Sequence, residues 1–291
     1  MQIHPSFENF AEGHAKGANS VLWTTLAADL ETPVSLMLKF AEGRRDVFLQ
    51  ESVTGGEVKG RHSIIGIKPD LVWRCRDGKA EVNRSARYDH DAFVPEEDDP
   101  LTSLRTLLKE CTIDLPGDLP PMAAGLFGYF GYDMVRLVER LPEPNPDPLD
   151  LPDAILMRPT LVVVIDIVKD VLTIVAPVWA DEGIGARAAY ARAAERLSDA
   201  VASLDRVPRM DQRPPPDPDA APTTSNMTPQ HFRDAVSTAQ EYVRAGDAFQ
   251  VVLSQRWAMP LLGAPPFALY RSLRRTNPSP SCSSSTSAAS R

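Results

Sequence analysis

Six of the 20 residues at 205–224 are proline: Pro208, Pro214, Pro215, Pro216, Pro218 and Pro222. Each removes a backbone N–H and holds φ near about −65°, so neither a helix nor a central strand crosses this stretch. It reads as a linker and divides the 291-residue chain into a first domain at 19–204 and a second segment at 225–280. Whatever this chain folds into, it folds on either side of that boundary.

In the first segment short apolar runs alternate with turn signals. Residues 47–52 read as a strand, followed by a turn at Gly55-Gly56. Residues 63–67 and 71–75 read as two further strands separated by Lys68, Pro69 and Asp70. Leu101, Leu104, Leu107 and Leu108 recur at helical spacing, and the Ala/Arg/Glu-rich run 186–204 is also helical. Residues 161–165 and 171–175 form the arms of a hairpin. Beyond the linker, Thr228 is an N-cap and Pro229 a first helical residue. Phe232, Ala235, Val236, Ala239, Tyr242 and Val243 carry the helix to a stop at Gly246. A strand is expected at 249–253 and a second helix at 266–275. Strands and helices without regular βαβ alternation indicate an α+β fold, with antiparallel sheets flanked by helices.

The net charge of −8 and pI near 5.2 argue against nucleic acid or an anionic membrane as partner, since either needs a basic patch. Cys75, Cys111 and Cys282 are far apart and lack paired spacing, which fits neither a disulfide framework nor a zinc site. The most apolar window, 161–179, is broken by Asp166, Lys169 and Asp170 and is too polar to span a bilayer. The N-terminus has no basic-then-apolar leader pattern, so a cytoplasmic location is expected. Glu96, Glu97, Asp98 and Asp99 read as a solvated acidic loop, and the five histidines show no metal-ligand spacing. The run Gly125-Leu126-Phe127-Gly128-Tyr129-Phe130-Gly131-Tyr132-Asp133 lacks phosphate-loop spacing. Tight packing of backbone against aromatic rings is the expectation there.

Five motifs occur in a set order: Thr32-Pro33-Val34-Ser35; Gln50-Glu51-Ser52; Gly60-Arg61-His62-Ser63-Ile64-Ile65-Gly66; the Gly/aromatic run at 125–133; and the block from Asn226 through Gly-Asp-Ala-Phe-Gln-Val-Val-Leu-Ser-Gln-Arg at 246–256 to Asn-Pro-Ser-Pro at 277–280. Together they resemble anthranilate synthase component I, of the chorismate-utilising enzymes. The resemblance implies an anthranilate-synthase-like fold and a Mg²⁺-dependent lyase converting chorismate to anthranilate and pyruvate. It also implies ammonia from a glutamine amidotransferase subunit (component II) and feedback inhibition by L-tryptophan.

By this resemblance Glu51, Ser52 and Pro280 belong to an L-tryptophan site. The carboxylate would pair with the amino acid's ammonium, and the hydroxyl would donate to or accept from its polar head. A solvated turn is the competing reading for Glu51 and Ser52. The Tyr-Met that follows Asn-Pro-Ser-Pro in the family is Ser281-Cys282 here, so the aromatic wall of the site is missing. Gln250 falls where water-adding relatives resemble one another in having a basic Lys. A neutral amide cannot activate water, so Gln250 fits amination, as a wall of the catalytic site. The alternative is an inward-facing amide satisfied by backbone.

Residues 281–290 contain only Ser, Cys, Thr and Ala. The family would continue Tyr-Met-Phe-Phe-Leu-Asp-Phe-Gly-Gly-Phe. In GC-rich codons, loss of one adenine from the Tyr codon converts that run into Ser-Cys-Ser-Ser-Ser-Thr-Ser-Ala-Ala-Ser, the sequence observed at 281–290. Residues 281–291 are therefore expected to be a frameshifted tail, with a flexible Ser-rich tail as the alternative. The family's Mg²⁺ ligands and acid/base groups would then lie outside this chain, the catalytic half would be incomplete, and the fragment would be inactive alone. Two other functions fit the motifs: a stand-alone tryptophan-binding regulatory module, and a sister enzyme making aminodeoxychorismate or salicylate.

Overall fold

The computed structural model describes residues 1–41, 43–52, 61–142, 146–147, 149–181, 183–208, 217, 222–279 and 281–286. The turn expected at Gly55-Gly56 and most of the proline-rich stretch lie outside the described residues. Two compact units emerge, one of Met1–Arg209 with Arg274–Arg291, the other of Met210–Leu273.

The first unit is built on a nine-stranded antiparallel sheet. Its strands are β1 (Ser20–Ala27), β2 (Val47–Ser52), β3 (His62–Arg76), β4 (Lys79–Asn83), β5 (Val94–Pro95), β6 (Phe127–Phe130), β7 (Ala154–Asp166), β8 (Val171–Val178) and, after the second unit's short β9 (Thr224–Ser225) and β10 (Trp257–Ala258), β11 (Ser281–Thr286). The main path runs β1-β8-β7-β3-β2-β11, with β4 and β5 continuing from β3, and β6 pairing with β7. The α+β class expected from the sequence is the one observed.

Strand β7 is buried at every residue but its last. It pairs along its length with β3, while β6 and then β8 take its other edge. Both faces are covered, so its sequence is a continuous apolar run rather than an alternation. Only its second half, 161–165, is legible as a strand from apolar pattern alone.

Strand β3 corrects the expectation of two strands at 63–67 and 71–75. The break signal at 68–70 is a bulge inside one strand: Pro69 pairs with Pro159 and Leu71 with Arg158, leaving Asp70 without an opposite residue. Lys68 takes φ 53°, and the missing N–H of Pro69 is tolerated at such an irregularity. The extra residue re-aims Asp70, whose carboxylate accepts from Arg158 Nε at 2.8 Å.

Helices α1 (Phe7–His14), α2 (Pro33–Ala41), α3 (Pro100–Glu110) and α4 (Ala186–Leu204) cover the sheet. Ala189, Ala193, Leu197 and Ala200 form the buried stripe of α4, and α4 packs on β8 and β1. Phe10 of α1 meets Tyr190 edge-on, with ring centroids 5.4 Å apart. Leu107 and Cys111 cluster with Leu71, Trp73 and Cys75. The acidic loop has structural duties. Asp99 accepts from the N–H groups of Leu101 and Thr102 as the N-cap of α3, and Glu96 accepts from Ser103 Oγ, itself the acceptor for the buried Trp73 indole at 3.0 Å.

In the Gly/aromatic run the tight contact is backbone on backbone. A Cβ on Gly128 would lie 1.8 Å from the carbonyl oxygen of Ile155 in the neighbouring strand. Phe127 stacks on Phe48, but Phe130 and Tyr132 are exposed, so the rings do not supply the packing the sequence suggested.

The second unit carries α5 (Pro229–Ala245) and the first turns of α6 (Pro266–Thr276). Thr228 accepts from the His231 N–H as N-cap, and Gly246 closes the helix at φ 83°, as read from the sequence. Residues 249–253 correct the sequence reading, for they form no strand. No neighbouring chain supplies a ladder to them among the described residues, and an apolar run without one does not hold an extended ribbon. Phe249 is fully exposed, while Val251, Val252 and Leu253 border an apolar hollow beside Phe232, Val236 and Val243 of α5.

Candidate functional site

The end of β2 brings Glu51 and Ser52 against β3 on one side and β11 on the other. Alternation along β2 turns Glu51 inward, where it is 2 % exposed. A carboxylate that deep needs a positive partner, and Arg274 in the last turn of α6 provides it. Its Nε donates to Glu51 Oε2 at 2.7 Å, and its Nη2 lies 2.6 Å from Oε1, a two-pronged contact. Burial rules out the solvated-turn reading of Glu51. Ser52 donates through Oγ to the His62 carbonyl at 3.0 Å, and its N–H donates to Ser63 Oγ at 3.2 Å.

Strand β11 sets Ser281 opposite Ser52 and Cys282 opposite Glu51. Gln50, Glu51, Ser52, His62, Ser281 and Cys282 enclose much of a hollow of about 350 Å³. Beside it His62 Nε2 stands 3.7 Å from Asp166 Oδ2. Arg61 holds that carboxylate through Nε at 2.9 Å from both oxygens. Arg61's hydrogen bonds, reinforced by the Lys169 and Val168 N–H groups, hold the Asp166 carboxyl down at about 2. The arrangement is a polar hollow with a buried, already paired carboxylate. An ammonium group entering it has to share Glu51 with Arg274.

Gln250 lies on an exposed, irregular segment of the second unit, so the structure does not seat its amide inward. Pro280 lies outside the described residues. Sequence reasoning did not single out Arg274 or His62 for this site. The available signal was indirect: a strand-end glutamate on the inward register demands a cation from elsewhere.

All three cysteines are free. Burial pushes the Cys75 thiol up to about 11 and also raises Cys111, against the pull of Arg158, so neither behaves as a nucleophile. Among the described residues no group of three or more His, Cys, Asp or Glu could hold a metal ion, and no helix is long and apolar enough to cross a membrane.

Residues 51–287 match the chorismate binding enzyme family. Anthranilate synthase component 1 of Cereibacter sphaeroides is 56 % identical over 275 residues, covering 94 % of this chain and 55 % of that protein. The Thermus thermophilus protein of the same name is 40 % identical over 258 residues, 88 % of this chain and 51 % of its own length. The chain thus spans about half the length of the curated relatives it matches. The crystal structure of anthranilate synthase component I from Streptococcus pneumoniae superimposes with a TM-score of 0.58 at 23 % identity, over 87 % of this chain and 53 % of that one, and establishes the fold. By the extent of the family match, this chain belongs to the chorismate binding enzymes.

Proposed function

We propose that this chain is part of an anthranilate synthase component I, acting in tryptophan biosynthesis on chorismate, with ammonia or glutamine as nitrogen source and anthranilate and pyruvate as products. The 56 % identity over 94 % of the chain carries the reading. Its finer parts are a cytoplasmic lyase, a glutamine amidotransferase partner (component II), and feedback inhibition by L-tryptophan at Glu51 and Ser52. The inhibitor reading is supported by the inward Glu51 beside a polar hollow. The Mg²⁺ that the family reading implies finds no donor cluster among the described residues.

The test is genetic and chemical together. In a tryptophan auxotroph lacking component I, a gene carrying this sequence with the reading frame after Pro280 restored to the family's should restore growth, and its extract should form fluorescent anthranilate from chorismate. Failure of both, with the protein present, overturns the proposal.

A further inference from the structure

A second cavity, of about 550 Å³, opens in the first unit between α4, the end of β8 and the C-terminal end of α3. Four arginines line it: Arg87, Arg158, Arg192 and Arg196. Arg158 is fully engaged. Its guanidinium meets Asp70 at 2.8 Å and Glu110 at 3.3 Å and stacks over the Trp179 ring at 4.6 Å. The other three are not neutralised. Among the described residues no carboxylate forms an ion pair with Arg87, Arg192 or Arg196. Arg196 uses Nη2 to donate to the Pro177 carbonyl at 2.9 Å, while its buried Nε has no partner.

Of the neutral groups around them, most are already used and one buried donor is left over. Asn19 Nδ2 is spent on the carbonyls of Glu110 and Thr112, Thr160 Oγ1 on that of Lys68, and His14 Nε2 meets that of Ile184. The Trp179 indole N–H is buried with no acceptor. Asp181, the remaining acidic residue on the wall, accepts from the Gly183 N–H through Oδ1. What the cavity has in surplus is donors and positive charge. Burial, then the proximity of Arg87, lowers the Arg196 pKa, with Asp70 opposing and Arg192 adding to it, and Lys68 is lowered by burial and then Arg44, with Asp199 opposing and Arg87 and Arg196 adding further. Like charges gathered this way are stabilised by an acceptor-rich anion, and guanidinium forks suit the planar edges of phosphate and carboxylate.

We propose that this cavity is a binding site for a small soluble oxyanion, a phosphate or carboxylate compound, held by Arg87, Arg192 and Arg196. The proposal stands independently of the catalytic reading. Calorimetry on the full chain at low ionic strength, titrating inorganic phosphate and separately succinate, tests it, with sodium chloride matched in ionic strength as the control. The expected result is saturable one-to-one binding of at least one of them that chloride does not reproduce. Arg87 and Arg192 are exposed, so their replacement spares the core. R87Q/R192Q should keep its circular dichroism and lose at least about tenfold in affinity. Saturation by phosphate alone identifies a phosphate compound, by succinate alone a carboxylate, and by both a general oxyanion site. No saturable heat with either probe, or undiminished binding by the folded double variant, overturns the proposal.

Discussion

Asp166 closes β7 and serves two neighbours at once. Its carboxylate takes the Arg61 guanidinium and the N–H groups of Val168 and Lys169, so one side chain both pairs a charge and shapes the hairpin turn. With its carboxyl held at about 2 rather than 3.8, the ionised form is favoured in the folded state. A depressed carboxylate contributes stability that is full above its unfolded pKa and lost as pH falls through the folded one. Both partners are partly solvated, so the contribution is discounted to about 1–2 kcal/mol. Urea titrations should show D166N less stable by that amount at pH 7, with the gap closing as pH falls from about 4 toward 2. A gap unchanged by acid would assign the effect to packing. Gly128 shows the opposite kind of constraint, steric and independent of pH. Its missing Cβ leaves room for the Ile155 carbonyl, so G128A should force β6 off β7 and cost about 3 kcal/mol in a denaturant melt.

At the scale of elements, α5 illustrates local specification. Thr228 accepts from the N–H of His231, Pro229 occupies the first turn, and Gly246 ends the helix in the left-handed region. None of its residues is buried, so caps rather than core packing define where it starts and stops. T228A should therefore cost about 1 kcal/mol of helix stability, read as loss of ellipticity at low denaturant. The same local rules fail at 249–253, where β-branched and apolar residues predict a strand and the structure has none. They fail in the other direction at β11, where a Ser-rich run of low strand propensity is nonetheless paired with β2 over six residues. Sheet formation follows the availability of a partner edge more than the composition of the segment.

The whole molecule assembles the Glu51 hollow from segments 223 residues apart in the chain, counted from Glu51 to Arg274. Its β11 side presents Ser281, Cys282 and Ser283, with Ile64 the aliphatic group on the β3 side. An indole there leaves roughly 100 Å² unburied, which at ~25 cal/mol per Å² forfeits about 2–3 kcal/mol, or about fifty-fold in affinity. Competition with Arg274 for Glu51 acts in the same direction. Calorimetry on this chain should therefore give weak or undetectable L-tryptophan binding. Tight, stoichiometric heat would show that the hollow encloses the ring and that this account of its walls is wrong.

The sequence alone determined whatever depends on near neighbours. The bounds of β2 at Val47–Ser52 and of α4 at Ala186–Leu204 follow from apolar period and turn chemistry, as do the caps of α5. Motif order pointed to the family later matched at residues 51–287. Of the site, Glu51 and Ser52 were legible as motif residues, but neither the Arg274 that holds one nor the His62 carbonyl that holds the other was. Tertiary structure alone decided that 62–76 is one bulged strand, that 249–253 is none, and that a serine-rich run joins the sheet. A ladder needs a second edge and a buried charge needs its counterion, and both are supplied by residues too distant along the chain for any local pattern to encode.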